Sequence, residues 1–288
     1  MTKQSNPILD RAAANGVSLE MQGAVAVVRL CRPAKRNALS DSLIEALRDV
    51  FQNLPAEAGA AVIHGEGDHF CAGLDLSELK ERDAGEGIHH SRSWHVALNA
   101  VEQGRVPVVA ALHGAVVGGG LELASASHIR VADESTFYAL PEGTRGIFVG
   151  GGGSVRVPKL IGAARMTDMM LTGRVLDADE GQAVGLSHYR VADGAGLAKG
   201  VELAHRIAAC KQLGPHGVDP TALSVDIAAH RGVVVALGNQ PVLHALGLRA
   251  RHLGLQPGTG ACGAHGVDLR LIATPCRLRQ KAAGIHVV

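Results

Sequence analysis

Residues 113–124 decide the fold, and they read HGAVVGGGLELA. The preceding stretch, residues 106–112, is apolar and rich in β-branched residues, which predicts a fully buried strand. Beyond the glycines, residues 121–127 are mostly small and apolar and predict a short buried helix. A buried strand that runs through glycines into a buried helix indicates an α/β protein.

Strands and helices alternate on both sides of this stretch. Residues 17–21 and 24–30 predict a hairpin, and residues 60–64 and 129–132 predict two further strands. Ser40 or Asp41 can cap a helix that Pro55 closes. Further helices are predicted at residues 93–103, 154–160, 163–171, 178–184 and 195–209. The alternation predicts an α/β architecture in which some strands pair in parallel.

The composition is that of an ordinary globular protein. The 288 residues include 28 Lys and Arg against 27 Asp and Glu, a formal net charge of +1, which argues against a basic nucleic-acid binder. One Trp, two Tyr and four Phe are too few for a surface that stacks single-stranded nucleic acid. No apolar run approaches the length of a membrane span, and no apolar leader is visible, so no membrane partner and a cytoplasmic location are expected.

Two glycine-bearing loops are candidates for binding an anion. Residues 69–76, HFCAGLDL, contain small residues that let backbone amides approach a ligand. Gly118, Gly119 and Gly120 stand at the predicted N-terminus of a helix, where free N–H groups favour negative charge. Two such donors can form an oxyanion hole. The alternative for either loop is that glycine only permits tight packing of strand against helix.

Two glutamates are candidates for acid–base chemistry. Glu122 lies inside the apolar run 121–124, where a carboxylate is costly unless it is paired or functional. Glu142 follows Pro141 in a loop ahead of the glycine run 150–153. Two carboxyls that converge on one pocket can share the acid and base roles. The alternative for Glu142 is a salt bridge at the surface.

Four motifs together resemble the crotonase (enoyl-CoA hydratase/isomerase) superfamily. They are RPAKRNAL at 32–39, FCAGLDL at 70–76, HGAVVGGGLELA at 113–124, and Pro-Glu at 141–142 ahead of the glycine-rich stretch 146–152. They occur in the order and spacing of that family, and the resemblance covers about residues 17–209.

The resemblance implies a crotonase-like spiral of ββα units with a C-terminal helical region. It also implies an acyl-CoA thioester as substrate, no metal or redox cofactor, and a homotrimer or a dimer of trimers. The backbone N–H groups of Leu74 and Gly119 would hold the thioester oxygen as it becomes an enolate. Of Glu122 and Glu142, one would activate water for attack at C3 and the other would deliver a proton to C2.

The resemblance further assigns residues to the binding of substrate and coenzyme A. They are Lys35, Arg36, Ala38, Ala72, Asp75, Leu76 and Gly118. A basic side chain beside nucleotide phosphates is sound electrostatics, although Arg36 can equally be a solvated surface charge. Residues 90–96, which include Trp94, resemble the variable helix beside the acyl group, and ordinary packing is the alternative.

The C-terminal region departs from the family. Residues 211–288 hold three acidic residues and no Glu, whereas residues 1–210 hold 24 acidic residues. Amphipathic helices normally carry such residues on their solvent face. We therefore divide the chain into a crotonase-like catalytic core, residues 1–209, and an atypical C-terminal region, residues 210–288. That region is interpreted as disordered, poorly packed or translated from a shifted reading frame.

The sequence therefore favours an enoyl-CoA hydratase that adds water to a trans-2-enoyl-CoA. One alternative is an enoyl-CoA isomerase or another lyase or hydrolase of CoA thioesters, because an oxyanion hole serves any reaction through a thioester enolate. The other alternative is an inactive homologue that binds coenzyme A or partner subunits.

Overall fold

Helices and strands alternate along the part of the chain that the structure describes. This structure is a computed structural model, and it describes residues 6–78, 81 and 83–211. The elements, in chain order, are α1 Pro7–Ala14, β1 Val17–Gln22, β2 Val25–Leu30, α2 Asp41–Gln52, β3 Ala60–Gly65, α3 Ala84–Glu102, β4 Val108–Leu112, β5 Ala115–Val117, α4 Gly119–Ala126, β6 Ile129–Asp133, β7 Phe137–Ala139, α5 Gly153–Ile161, α6 Ala163–Thr172, β8 Val175–Asp177, α7 Ala178–Val184, β9 Tyr189–Val191 and α8 Gly196–Lys211. Short 3₁₀ turns occur at Pro33–Lys35, Leu76–Glu78 and Gly143–Arg145.

The strands form two sheets. The larger sheet has the order β1-β2-β3-β4-β6-β9. In it β1 is antiparallel to β2, and all the remaining neighbouring strands are parallel. The smaller has the order β5-β7-β8, with β5 parallel to β7 and β7 antiparallel to β8. The expected mixed α/β class is therefore confirmed, including the N-terminal hairpin and the parallel pairing.

The central strands are buried on both faces, as expected for a parallel sheet covered by helices. Every residue of β3 and of β4 is buried. Leu43 and Leu47 of α2 belong to the larger apolar core on one face of the sheet. Leu203 and Ala204 of α8 pack with the strand residues that point to the other face. This two-sided burial fixes the strands whose ends carry the loops described below.

Helix α3 is longer than the sequence predicted. It begins at Ala84 rather than near residue 93, and Asp83 with Glu86 forms a capping box at its start. In this box the Asp83 side chain accepts from the Glu86 amide while the Glu86 side chain accepts from the Asp83 amide. The first two turns carry glycines and polar residues, so the helical pattern of apolar residues is weak there.

The C-terminal region lies mostly outside the described residues. Its first residues, 210 and 211, end α8, and the expectations for residues 212–288 lie outside the described part of the chain. The division at residue 209 stays a prediction. Among the described helices, none combines the length and the apolar character that crossing a membrane requires. The cytoplasmic location also stays a prediction.

Asn37 ties together the loops that lead toward the glycine segments. It is fully buried and has a left-handed backbone, with φ of +55°. Its Oδ1 accepts from the Arg32 amide at 2.9 Å, and its Nδ2 donates to Glu66 O at 2.9 Å and to His69 O at 2.7 Å. The side-chain amide thus connects the segment before α2 with the loop after β3. Sequence reasoning did not single out this residue.

We predict that Asn37→Ala lowers the free energy of unfolding by about 2–4 kcal/mol, because it removes a buried amide that makes three hydrogen bonds and places alanine at a left-handed backbone position. The control is Asn53→Ala, which removes an exposed side chain that donates only to Asp49 O at the end of α2. That change is expected to cost less than about 1 kcal/mol. Denaturant unfolding of both variants measures the difference. Equal losses would contradict the proposed role of the buried amide.

Candidate active site

The first glycine-bearing loop is fastened on both sides by short strand-like contacts. On one side the Cys71 amide donates to Ala115 O at 2.9 Å, and the Val117 amide donates to Cys71 O at 3.1 Å. On the other side the Leu39 amide donates to Gly73 O at 2.7 Å. These bonds hold the loop between β5 and the segment that precedes α2, so its backbone is rigidly positioned.

Two backbone amides of neighbouring loops lie side by side without acceptors. Within the described residues, neither the Leu74 N–H nor the Gly119 N–H donates a hydrogen bond. A Cβ built on Gly119 would lie 3.6 Å from the Leu74 nitrogen, and one built on Gly73 would lie 3.3 Å from the Gly119 nitrogen. Gly119 is the first residue of α4, where N–H groups have no partner inside the helix. This pair can stabilise an oxygen that gains negative charge.

The glycines of the second loop have different roles. A Cβ on Gly120 would clash with Cys71 O, so this glycine permits the close approach of α4 to the first loop. Gly118 has φ of +53°, which turns the chain from β5 into α4. Gly119 offers its amide. The two interpretations of the glycine sequence, tight packing and anion binding, thus apply to adjacent residues.

Glu122 is a buried carboxyl with two backbone donors on one oxygen. It lies in α4, whose eight residues are all buried, and its Oε1 accepts from the Gly151 amide at 2.9 Å and from the Gly153 amide at 2.7 Å. Burial raises the pKa of Glu122 to about 7, although the two amide donors lower it. The nearby Glu142 charge also raises this pKa. The second oxygen, Oε2, accepts no hydrogen bond from the described residues and can face a substrate.

Glu142 lies beside Gly118 of the second loop. It follows β7, which pairs in parallel with β5, and it is 5% exposed. A Cβ on Gly118 would lie 2.7 Å from its Oε1, while its Oε2 is buried without a hydrogen-bond partner among the described residues. Burial raises the pKa of Glu142. The alternative of a surface salt bridge is wrong for this residue, since it is buried and forms no ion pair with a described residue.

The residues assigned to coenzyme A lie around the first loop in different environments. Lys35 and Arg36 are exposed, and the Ala72 amide donates to Arg36 O at 3.0 Å, which brings this basic turn against the loop. Asp75 is buried, and hydrogen bonds from Ser77 and from Arg32 lower its pKa to about 2. Its carboxylate therefore fastens the loop. The rest are Ala38, buried; Ala72, half-buried; Leu76, 46% exposed; and Gly118, buried.

The ring of Trp94 lies next to Gly119, which carries one of the two free amides. It is buried in α3, and a Cβ on Gly119 would lie 3.1 Å from its Cζ3. Its Nε1 donates to Asp41 Oδ1 at 3.4 Å, and His90 Nε2 bonds the same oxygen at 2.7 Å. The side chain thus packs as a core residue and also borders Gly119. Within the described residues, no group of His, Cys, Asp and Glu has the arrangement of a metal site.

The amides of Gly151 and Gly153 are hydrogen-bond partners of Glu122 that sequence reasoning did not identify. The sequence signal was the glycine run 150–153, which was noted only as the stretch that follows Glu142. Every residue except proline has a backbone N–H, so the residue type does not show which amides bind a side chain. The structure brings this run against α4 at the start of α5, so that two of its N–H groups point at Glu122.

Comparisons with known proteins identify relatives of this chain. The family model described as Enoyl-CoA hydratase/isomerase matches residues 20–214. Enoyl-CoA hydratase EchA19 of Mycobacterium tuberculosis is 31% identical over 196 residues, which are 66% of this chain and 74% of that protein. A solved structure from Rhodopseudomonas palustris CGA009, provisionally named an enoyl-CoA hydratase, has 45% identity and a TM-score of 0.70, and the match covers 94% of this chain and 97% of that one.

Other relatives are much longer than the matched segment. The fatty acid oxidation complex subunit alpha of Shewanella sp. (strain W3-18-1) is 43% identical over 135 residues, which are 46% of this chain and 19% of that protein. Against the first curated relatives that it matches, the chain spans two thirds of the length or less.

We predict that Glu122→Gln raises the melting temperature at pH 8 by roughly 3–6 °C and by little at pH 5. The folded pKa of Glu122, about 7, lies above its ordinary value of 4.5, so its contribution to stability is present at low pH and is lost as the pH rises through about 7. Glutamine removes that loss. Scanning calorimetry at both pH values is the measurement, and Glu45→Gln, at an exposed position, is the control. A difference in melting temperature between wild type and Glu122→Gln that does not depend on pH would refute the raised pKa of Glu122.

Proposed function

The chain belongs to the enoyl-CoA hydratase/isomerase family, and we propose that it adds water across the double bond of a trans-2-enoyl-CoA thioester. The observation that carries this proposal is the pair of buried carboxyls, Glu122 and Glu142, beside the free amides of Leu74 and Gly119. Hydration needs a base for water, an acid for carbon and a site for the developing oxyanion, and these four groups supply all three.

The two free amides receive the thioester oxygen in this proposal. Attack of water at C3 moves the electrons of the double bond toward C2 and the carbonyl, so negative charge develops on the oxygen. The Leu74 and Gly119 N–H groups are already oriented and have no described acceptor to give up. Removing one such donor typically costs roughly 10²–10³ in rate.

The environments of the two carboxyls divide their roles. Glu122 has two amide donors on Oε1, which favour its ionised form, and a free Oε2 that can take a proton from water. Glu142 has a buried Oε2 without a described partner, which favours its protonated form. The oxygen of water bonds to C3, its proton goes to Glu122, and Glu142 delivers a proton to C2. Exchange with solvent then restores both carboxyls.

We propose that coenzyme A enters only as part of the substrate, with Lys35 and Arg36 beside its phosphates. Ala38, Ala72, Asp75, Leu76 and Gly118 would complete the wall of that site. We also propose that no metal or redox cofactor is required. Amide donors polarise the thioester and carboxyls move the protons, so each chemical task has a group in this chain.

An enoyl-CoA isomerase is the second candidate. The observation that favours it is the pKa of Glu122, about 7, because one carboxyl that titrates near neutrality can move a proton between C2 and C4. An isomerase would need only one of the two glutamates. An inactive homologue that binds coenzyme A or subunits is the remaining alternative.

The assay is mass spectrometry of short 2-enoyl-CoA and 3-enoyl-CoA thioesters incubated with the protein in heavy water. We expect a product heavier by one heavy water from the 2-enoyl substrates, with losses of at least about 10³-fold in rate for both Glu122→Gln and Glu142→Gln. Glu45→Gln and added chelator are expected to leave the rate unchanged. Deuterium exchange without addition of water, with Glu142→Gln active, would overturn hydration in favour of isomerisation. No reaction with any thioester would favour the inactive homologue.

We further propose that the chain assembles as a homotrimer or a dimer of trimers. Large apolar side chains are exposed around α5 and α6, among them Phe148 at 67%, Val155 at 56% and Leu171 at 72%. Such a surface is typical of a subunit contact. Light scattering at micromolar concentration is predicted to give the mass of three or six chains, and Leu171→Glu is predicted to lower it. A monomer in both cases would contradict the proposal.

A further inference from the structure

We propose that Arg156 is a positioning residue that fixes the loop 150–153, so that its amides face the carboxyl of Glu122. The inference rests on the proposed function, in which Glu122 takes the proton from water. No motif in the sequence drew attention to Arg156. The structure connects it with Glu122 through one residue of the loop, Gly151.

The guanidinium of Arg156 is buried, and each of its three nitrogens donates a hydrogen bond. It extends from α5 with a side chain only 7% exposed. Nε donates to Glu102 Oε2 at 2.8 Å, Nη2 donates to Asn99 Oδ1 at 2.5 Å, and Nη1 donates to Gly151 O at 3.0 Å. Two of these acceptors belong to the end of α3. The guanidinium therefore fastens the loop to a helix that does not itself carry Glu122.

The held carbonyl and the amide that faces Glu122 belong to the same residue. Gly151 O accepts from Arg156, and Gly151 N–H donates to Glu122 Oε1 at 2.9 Å. Ser91 of α3 holds the preceding carbonyl, Gly150 O, at 2.9 Å. A Cβ on Gly152 would lie 2.5 Å from Arg156 Nη1, so the loop packs directly on the guanidinium. A run of glycines has many backbone conformations, and these contacts select the one with inward amides.

The charge of Arg156 acts on Glu122 in the same direction as the amide donors. Arg156 lowers the pKa of Glu122, opposing the larger effect of burial, and Glu142 raises it. Glu102 neutralises part of the Arg156 charge at 2.8 Å, and the ring of His95 also lies beside Gly152, 3.3 Å from where a Cβ of that residue would be. Loss of Arg156 would remove a positive charge and loosen an amide donor. Both changes raise the pKa of Glu122.

The first experiment is the pH profile of kcat/KM for hydration. The wild-type rate is expected to fall as the pH drops below about 7, because Glu122 must be ionised. With Arg156→Met this acid limb moves to higher pH, so activity at pH 7 falls about tenfold and recovers toward wild type at about pH 9. Arg156→Lys keeps the positive charge but loses the planar set of guanidinium donors. The acid limb of its pH profile is expected to lie between those of wild type and Arg156→Met.

The matched control is Arg130→Met. Arg130 is also a buried arginine that donates to backbone carbonyls, Leu186 O at 2.8 Å and Ser127 O at 2.6 Å, rather than to the loop 150–153. This change is expected to lower stability without moving the acid limb. If Arg156→Met lowers the rate by the same factor at every pH, its role is only structural and the proposal is wrong. Should Arg156→Met not fold, Asn99→Ala removes one acceptor of the guanidinium, and an unmoved limb in that variant would equally overturn the proposal.

A second readout does not depend on turnover. The gap in melting temperature between the parent protein and the Glu122→Gln variant follows the titration of this carboxyl. In an Arg156→Lys background the gap is expected to keep growing to a higher pH than in wild type. If hydration is absent in wild type but the gap shifts, the proposed function fails while Arg156 still positions Glu122. Hydration can also be present while the acid limb of the pH profile and the pH dependence of the melting-temperature difference both stay unchanged. In that case the inference about Arg156 fails and the proposed function stands.

Discussion

The close approach of α4 to the first glycine-bearing loop is the constraint on which the rest of the site depends. The Gly120 backbone lies so near Cys71 O that a Cβ would clash with that oxygen. This approach lets Cys71 pair with β5 and brings the amides of Leu74 and Gly119 together. Any side chain at residue 120 would separate the two donors by pushing the helix away. The buried sheet beneath resists such movement because β3 and β4 are covered on both faces.

The same helix carries Glu122 into the interior, where an unpaired charge is costly. The structure offsets this cost with backbone rather than with a direct ion pair to Glu122. Amide donors from Gly151 and Gly153 meet one oxygen and leave the other free, whereas a bidentate arginine would occupy both. Arg156 does not bond Glu122 directly but donates to Gly151 O, the carbonyl of a residue whose amide bonds Glu122. A carboxyl held in this way keeps an oxygen available for chemistry.

Much of this arrangement could be predicted from the sequence, and the misses have physical causes. Ser40 caps α2 as expected, and α5–α8 begin and end within two residues of their predicted bounds because their apolar residues recur at helical spacing. The strands β5, β7, β8 and β9 are three residues each, too short for any alternation to be visible. Helix α1 was not predicted, although Asn6 caps it and Pro7 begins it.

At the candidate site, sequence reasoning identified the side chains and missed what orients them. Glu122 was recognisable as a carboxyl inside an apolar run, and Glu142 as a carboxyl in a loop ahead of a glycine run. The amides of Gly151 and Gly153, the guanidinium of Arg156 and the bridging amide of Asn37 act through contacts between segments far apart in sequence. Such contacts depend on how α3, α4 and α5 pack together, and no local pattern encodes them.

Burial raises the pKa of both glutamates, and the charge of Glu142 raises that of Glu122 further. The two carboxyls differ in their partners. Glu122 has two N–H donors and the field of Arg156, all of which favour a negative charge. Glu142 has a buried oxygen with no described donor. These partners are the basis on which the proposed hydration assigns the role of base to Glu122 and the role of acid to Glu142.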